Sequence, residues 1–308
     1  MLILIVGITG NIGLKLADAL IQRGHNVRGA SRTKSKLLDE KLEQLESFHQ
    51  TSAWYDVKTL RQAVKGVDAV VCSYSPVPEL ALEGELLLVR IMEEEGVTRF
   101  VPSTWNLDWS RLQWGAAPYY DVFIALQRQL ALSSTIKPLY LFTGIFAEVF
   151  FSISGHGGFA PKNHGVWDPD PTNRRAVIWG SGNEKWQITT EHDCAEFTAE
   201  VVTDLTKESG YFRFCSFAHS TREMVTIYEG IRRVPIKLVH AGSLDDLRSD
   251  ANAAVREMGL KRFWDWMGYF YQVYQLDGTF FMRELDNKLY PSVKPTSLEE
   301  FLKENIQV

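Results

Sequence analysis

Three glycines near the start of the chain have the spacing of residues that bind phosphate. The run Gly7-Ile8-Thr9-Gly10-Asn11-Ile12-Gly13 follows the aliphatic segment Leu2 to Val6 and precedes an apolar segment with helical periodicity. After a strand, Gly7 permits a tight turn, Gly10 a close approach of pyrophosphate, and Gly13 close packing of helix on sheet. The helix N-terminus attracts phosphate through its N–H groups and dipole. We therefore predict a dinucleotide site that includes Gly7, Thr9, Gly10, Asn11, Ile12 and Gly13. A purely structural strand-to-helix turn is the alternative.

The residue types after the second predicted strand indicate which dinucleotide binds. This strand, His25 to Ala30, is followed by Ser31 and Arg32, where an NAD site usually carries an acidic residue for the ribose hydroxyls. Arg32, with Lys36 nearby, can instead hold a 2′-phosphate. The pattern favours NADP(H) as the cofactor, and two solvated cations are the alternative.

Length and composition narrow the class of protein. A chain of 308 residues can form a nucleotide-binding domain and a second lobe. The formal net charge of -5 offers no basic field, so we expect neither a nucleic-acid nor a membrane partner. The separated cysteines Cys72, Cys194 and Cys215 indicate reduced core residues and no metal site. The first strand begins at Leu2 and no apolar run reaches membrane-spanning length, so a cytoplasmic location is expected. The expected oligomeric state is a monomer or a homodimer.

Predicted strands and helices alternate over the first half of the chain. This alternation predicts an α/β fold, a Rossmann-type doubly wound parallel sheet with a smaller C-terminal substrate lobe. Residues 1–150 are predicted to form the NADP(H)-binding domain, to which a strand near residues 211–215 and its preceding helix return. Residues 151–308 are predicted to form most of the substrate lobe, with a lid-like loop at 151–173.

Loops at the carboxyl ends of the predicted strands supply further cofactor contacts. A third strand from Thr51 to Asp56 would place Asp56 and Val57 beside the adenine ring. Phe146 is predicted to pack on the nicotinamide. The other predicted contacts at strand ends are Ser73, Tyr74, Ser75, Pro102, Thr143 and Gly144.

Several of these segments together resemble one known family. The glycine block at residues 7–13, then Arg32, then the run from Glu95 to Ser103 resemble the NmrA-like and isoflavone-reductase-like atypical short-chain dehydrogenases. Residues 180–183 and 289–302 resemble later landmarks of that family. The resemblance implies a Rossmann domain that binds NADPH, a smaller substrate lobe, and reduction of aromatic or other specialised metabolites.

The chain departs from that family at the position of a catalytic lysine. The resemblance places Phe123 where isoflavone-reductase-like enzymes carry this lysine. The Tyr-x-x-x-Lys spacing of the commoner short-chain dehydrogenases occurs at Tyr290 and Lys294, where neighbouring prolines exclude a helix. The family's Pro-Ser-Glu-Phe-Gly loop reads Pro102-Ser103-Thr104-Trp105-Asn106 in this chain. A shifted active site or a changed reaction is therefore expected.

Other polar residues are candidates for proton transfer. Tyr120 could donate to a carbonyl or imine, and Asp121 could act as a base or as the counter-ion of an iminium. The alternative is a packing aromatic followed by a carboxylate that complements a helix dipole. Ser103 and Thr104 belong to the same region, and Lys162 or His156 could supply the missing acid.

Aromatic residues indicate the substrate class. The segment from Arg262 to Gln275 is almost entirely aromatic or apolar, and its Trp266 and Phe270 face is either core or the wall of an apolar pocket. The predicted substrate contacts are Trp105, His156, Trp266 and Phe270. We predict an NADPH-dependent reductase of a bulky aromatic or alkaloid-like specialised metabolite, with iminium reduction or redox-assisted cyclisation as variants. The alternative is a non-catalytic, NADP(H)-sensing NmrA-like regulator.

Overall fold

The aliphatic run after Met1 forms the first strand, β1 (Leu2–Val6), whose last four residues are buried. The computed structural model describes residues 1–34, 37–157, 165–168 and 174–308. They divide into two compact units. Unit 1 comprises Met1–Phe142, Cys194–Phe214 and Asp286–Val293, and unit 2 comprises Thr143–Asp193, Cys215–Leu285 and Lys294–Val308.

Unit 1 is built on a parallel sheet. Its strands besides β1 are β2 (Asn26–Ser31), β3 (Ser47–Gln50), β4 (Ala69–Cys72), β5 (Arg99–Val101), β6 (Lys137–Phe142) and β11 (Gly210–Arg213). The seven strands have the order β11-β6-β5-β4-β1-β2-β3, and every neighbouring pair is parallel. The order reverses direction between β1 and β4, which is the switch point where such sheets bind nucleotides. The predicted Rossmann-type fold is confirmed.

Helices connect the strands of unit 1. They are α1 (Asn11–Gln22), α2 (Asp39–Gln44), α3 (Val57–Val64), a π-helix (Glu79–Gly84), α4 (Glu85–Glu94), a 3-10 turn (Pro118–Tyr120), α5 (Asp121–Ser133), α7 (Glu191–Thr203) and a 3-10 turn (Asn287–Leu289). The helix α7 begins in unit 2 and continues into unit 1.

The described residues of unit 2 form two small sheets and several helices. Its strands are β7 (Ile145–Phe146), β8 (Trp167–Asp168), β9 (Arg175–Trp179), β10 (Lys185–Thr189), β12 (Phe217–Ser220) and β13 (Lys237–Gly242), in the sheets β12-β10-β7 and β13-β9-β8. Its helices are α6 (Ala147–Phe150), α8 (Thr221–Arg232), α9 (Leu244–Met258), α10 (Phe263–Asp277) and α11 (Leu298–Glu304), with a 3-10 turn at Leu260–Arg262.

The observed boundaries differ from the predicted ones in three places. Unit 1 ends at Phe142 rather than at residue 150, and the segment Asp286–Val293 returns to it together with β11. The third strand was predicted at Thr51 to Asp56, whereas β3 ends at Gln50, before the predicted strand begins. Of the predicted lid-like loop, residues 158–164 and 169–173 lie outside the described residues.

None of the helices in the described part of the chain is long and apolar enough to cross a lipid bilayer. The three cysteines are buried, as predicted for core residues, and none of these described residues forms a disulfide bond.

Candidate cofactor and active site

The turn between β1 and α1 requires glycine for steric reasons. Gly7 has a φ of 85°, and a Cβ there would lie 2.4 Å from the carbonyl oxygen of Ser73. A Cβ on Gly13 would lie 2.7 Å from the Gly7 carbonyl oxygen and 2.8 Å from the Cα of Ile8. Gly10 is the N-cap of α1, without a side-chain cap and without an acidic residue in the first turn. This uncapped helix start fits a pyrophosphate.

A positively charged residue, Arg32, directly follows β2. The hydroxyls of Thr9 and Ser31 are 2.6 Å apart and connect the glycine turn to this strand end. Arg32 is exposed, and among the described residues no carboxylate lies within ion-pair distance of its guanidinium. Lys36, the second predicted cation, lies outside the described residues. Arg32 therefore fits a 2′-phosphate, as its position after β2 predicts.

The predicted adenine contacts have local structural roles. Asp56 is the N-cap of α3, and its carboxylate accepts hydrogen bonds from the Ser52 backbone N–H, the Ser52 hydroxyl and the Thr59 backbone N–H at 2.9, 2.9 and 3.2 Å. The Ser52 backbone N–H is the main reason why the pKa of Asp56 falls to about 2. The next residue, Val57, is 40% exposed. Contact of Asp56 and Val57 with adenine stays a prediction.

The loops after β4 and β5 are joined by hydrogen bonds. The Ser73 backbone N–H donates to the Val6 carbonyl at 2.7 Å, which holds the β4 loop beside β1. The Ser103 hydroxyl donates to the Tyr74 carbonyl at 2.7 Å. These bonds bring together the predicted contacts Ser73, Tyr74 and Ser103, beside Ser75 and Pro102 in the same loops.

A buried carboxyl group, which the sequence analysis missed, lies under the β5 loop. Glu85 is 0% exposed, and its Oε1 accepts the Ser103 backbone N–H at 3.3 Å. Burial raises the pKa of Glu85 well above its ordinary value, and the hydrogen bond from the Ser103 N–H lowers that pKa by a smaller amount. Its one sequence signal is its place directly before the apolar run Leu86-Leu87-Leu88-Val89, and the exposed Glu83 two residues earlier makes that signal weak.

Three predicted catalytic residues make structural hydrogen bonds. Thr104 is buried, and its hydroxyl lies 3.3 Å from the backbone nitrogen and 3.4 Å from the carbonyl oxygen of Leu141. Tyr120 is 1% exposed, and its hydroxyl donates to the Asn106 side-chain oxygen at 3.0 Å. Asp121 accepts the backbone N–H of Gly115 at 2.9 Å. These contacts favour the packing and capping alternatives, and the catalytic roles stay predictions. Lys162 lies outside the described residues.

An aromatic cluster surrounds Phe123, the residue that the resemblance places at the position of the family lysine. Phe123 is 3% exposed and stacks on Trp109, with ring centroids 5.8 Å apart and planes inclined by 15°. Trp109 is fully buried and also meets Phe142 edge to face at 5.4 Å. An ammonium group at position 123 would lose its hydration among these rings, so this position suits an aromatic side chain. That it corresponds to the family lysine stays a prediction.

Two of the predicted substrate contacts, Trp105 and Trp266, have buried rings. Trp105 is 9% exposed, and its ring N–H donates to the Thr198 hydroxyl at 2.9 Å. Trp266 is 1% exposed, and its ring N–H donates to the Gly259 carbonyl at 3.1 Å. Buried rings with these partners favour a packing role, and contact of Trp105 and Trp266 with the substrate stays a prediction. Phe270 is partly buried with its ring 5.6 Å from that of Trp266 and stays a candidate.

The first residues of unit 2 include the remaining predicted cofactor contacts. Gly144 has a φ of 67°, and a Cβ there would lie 2.1 Å from the Gln187 carbonyl oxygen. Thr143 is fully buried, and its carbonyl accepts the Thr189 hydroxyl at 2.6 Å. Phe146 is partly buried and pairs with Thr189 where β7 meets β10. The backbone of this segment is thus fixed by β10.

A histidine and a glutamate are within hydrogen-bond distance in unit 2. The Nδ1 of His156 lies 2.9 Å from the carboxylate of Glu191, which is 3% exposed. The backbone N–H of Glu191 donates to both carboxylate oxygens of Glu148 at 3.1 Å. A buried carboxylate at one ring nitrogen sets the orientation of the imidazole, which suits proton transfer.

The sheet order, the glycine turn and the cation after β2 define a Rossmann-type dinucleotide-binding protein. The model of the NmrA-like family matches residues 1–302, and the chain belongs to this family. The family predicted from the glycine block, Arg32 and the run from Glu95 to Ser103 is therefore confirmed.

Similar proteins align with the chain over almost its whole length. A bifunctional pinoresinol-lariciresinol reductase of Linum usitatissimum is 26% identical over 97% of both chains. Pinoresinol reductase 2 of Arabidopsis thaliana is 28% identical over 98% of this chain and 96% of its own length. The structure of AtPrR2 with NADP+ and (+)pinoresinol has a TM-score of 0.74 and 26% identity over 99% of this chain and 98% of that chain. The binary complex of leucoanthocyanidin reductase with NADPH from Vitis vinifera has a TM-score of 0.79, 20% identity and 99% coverage of both chains, which supports the fold.

Proposed function

We propose that this chain is an NADPH-dependent reductase of a bulky, apolar, aromatic specialised metabolite. The observation that supports this most directly is the glycine turn of residues 7–13 followed by Arg32 at the ribose position. The predicted enzyme class, an NADP(H)-dependent oxidoreductase, is confirmed by the reductases similar over the whole chain. These relatives favour an enzyme over the regulator that the sequence left open.

The described residues suit a bound NADP(H). The uncapped start of α1 at Gly10 would hold the pyrophosphate, and Arg32 would hold the 2′-phosphate. When bound, the cofactor supplies the hydride. Since the resemblance places Phe123 at the position of the family lysine, substrates that need no proton from that position are favoured, such as an iminium or another activated acceptor. His156, oriented by Glu191, is the candidate acid for a substrate that does need a proton.

Cofactor titration tests the first part of the proposal. We expect wild-type protein to bind NADPH more tightly than NADH, and Arg32→Ala to lose about 1.5–3 kcal/mol of NADPH binding with NADH unchanged. Fluorescence of the reduced nicotinamide reports both affinities. Arg111→Ala removes an exposed arginine elsewhere in unit 1 and serves as the matched control. Equal affinity of the wild type for both cofactors would contradict the assignment of Arg32.

Deuterium transfer tests the second part. Matched aromatic ketone and iminium compounds are incubated with NADPH deuterated at the hydride position, and products are analysed by mass spectrometry. We expect the label in the reduced iminium product. The absence of label from every reduced product would exclude direct hydride transfer.

A further inference from the structure

Glu85 is a carboxyl group buried without a counter-ion. It is the first residue of α4 and is 0% exposed. Among the described residues, its Oε2 has no hydrogen-bond partner and no cation lies within ion-pair distance of it. An isolated ionised carboxylate in such surroundings is strongly unfavourable, so the group takes up a proton instead.

The titratable groups around Glu85 are a thiol and two phenols, which carry no positive charge in either protonation state. Cys72 on β4, Tyr74 in the following loop and Tyr140 on β6 all interact with it electrostatically. Burial is the main cause that raises the pKa of each of these groups. Arg32 acts on Tyr74 in the opposite direction and is too weak to reverse the effect of burial. None of these neighbours supplies a positive charge to Glu85.

Glu85 connects two loops that follow adjacent strands. Its Oε1 accepts the backbone N–H of Ser103, and the Ser103 hydroxyl donates to the Tyr74 carbonyl. A Cβ on Gly84 would lie 3.2 Å from the ring of Tyr74, so that ring packs on the π-helix directly before Glu85. Short π-helical segments are frequent at functional sites. The loops after β4 and β5 are thus held at several points near the switch point of the sheet.

We propose that Glu85 is a positioning residue for the cofactor, a neutral carboxylic acid that fixes the Ser103 loop against the Tyr74 loop as an uncharged wall beside the nicotinamide. The inference rests on the proposed binding of NADP(H). An uncharged wall gives no electrostatic preference for the cationic ring of NADP+ over the neutral ring of NADPH.

Two replacements of Glu85 separate its shape from its charge. Glu85→Gln keeps the carbonyl acceptor and the neutral state, whereas Glu85→Met keeps the volume and removes the acceptor. Dissociation constants for NADPH and NADP+ are measured by calorimetry, with melting temperatures to verify folding. Glu83→Gln, at an exposed position of the preceding π-helix, is the control.

We expect Glu85→Gln to change both dissociation constants by less than about twofold and Glu85→Met to raise both about tenfold, because the Ser103 N–H loses its acceptor. Two results would overturn the inference. If Glu85→Gln weakens NADP+ about tenfold and leaves NADPH unchanged, Glu85 is an ionised counter-ion. If folded Glu85→Met binds both as the wild type does, Glu85 does not position the loop. Failure of the wild type to bind NADPH would instead contradict the proposed function.

The pH dependence of stability tests the neutral state without any cofactor. The pKa of Glu85 is raised, so above its ordinary value of 4.5 the folded chain keeps a proton that the unfolded chain releases. The stabilising effect is therefore full below that value and is lost as pH rises towards the folded pKa. Relative to Glu85→Gln, the unfolding constant of the wild type should rise about tenfold per pH unit in this window. Urea unfolding measures the difference in free energy of unfolding between the wild type and Glu85→Gln at about pH 5 and at about pH 7. An equal difference at both pH values would overturn the neutral assignment.

Discussion

Tyr120 stands at the end of a 3-10 turn, and its buried hydroxyl meets the Asn106 side chain. We expect Tyr120→Phe to lower the free energy of unfolding by about 1 kcal/mol, the contribution of one neutral hydrogen bond. Turnover should fall by less than about fivefold, whereas loss of a general acid lowers the rate by about 10²–10⁴-fold. Urea unfolding and steady-state rates with NADPH measure the two effects. Tyr55→Phe, at a ring that is 63% exposed, is the control. A rate loss above about 100-fold would restore Tyr120 as the acid.

Residues whose requirement is set by the local backbone were predictable. Gly7 and Gly13 follow from a turn that any strand-to-helix phosphate loop needs. The hydrogen-bond partners of Trp105 and Trp266 could not be predicted, because Thr198 and Gly259 come near these rings only in the folded chain. The sequence pattern around an aromatic residue is the same whether its side chain packs in a core or lines a pocket.

The start of α1 is the element on which cofactor binding depends. A methyl group on Gly13 would overlap backbone atoms of Gly7 and Ile8, which can move only if α1 shifts away from β1. We expect Gly13→Ala to lower the free energy of unfolding by about 1–3 kcal/mol and to weaken NADPH binding. Gly230→Ala is the matched control, because no atom lies within 4 Å of a Cβ at this position of α8 and alanine should stabilise the helix by about 0.5–1 kcal/mol. Calorimetric unfolding and NADPH titration test both, and unchanged NADPH affinity in Gly13→Ala would contradict the steric argument.

The central strands were predictable as elements, and the edge strand was not. The strands β1 and β4 are continuous aliphatic runs because other strands and helices cover them. The strand β3 lies at the edge of the sheet, has no fully buried residue and contains Ser, His and Gln. Its position was therefore assigned to the more aromatic segment 51–56, whose Asp56 caps α3 instead.

At the scale of the whole molecule, the chain contributes its last residues to both units. In unit 1, Asp286 accepts the Arg213 backbone N–H at 2.8 Å, and the Tyr290 hydroxyl donates to Asp204 at 3.2 Å. In unit 2, Asp193 accepts the Thr296 backbone N–H at 2.7 Å. Such returns depend on contacts between residues far apart in sequence, so periodicity alone does not reveal them. The return of β11 was predicted, and that of Asp286–Val293 was not.

A substitution in α11 tests whether this C-terminal segment is essential for the stability of unit 2. Phe301 is 2% exposed, belongs to the core of unit 2, and stacks on Phe151 with ring centroids 5.6 Å apart. We expect Phe301→Ala to lower the free energy of unfolding by about 3–5 kcal/mol, since it removes a buried ring and leaves a cavity. Ile306→Ala, at a side chain that is 80% exposed near the same terminus, should stay within about 0.5 kcal/mol of the wild type. Urea unfolding followed by tryptophan fluorescence measures both, because Trp167 and Trp186 lie in the same core. If Phe301→Ala unfolded at the wild-type midpoint, α11 would be an appendage rather than part of that core.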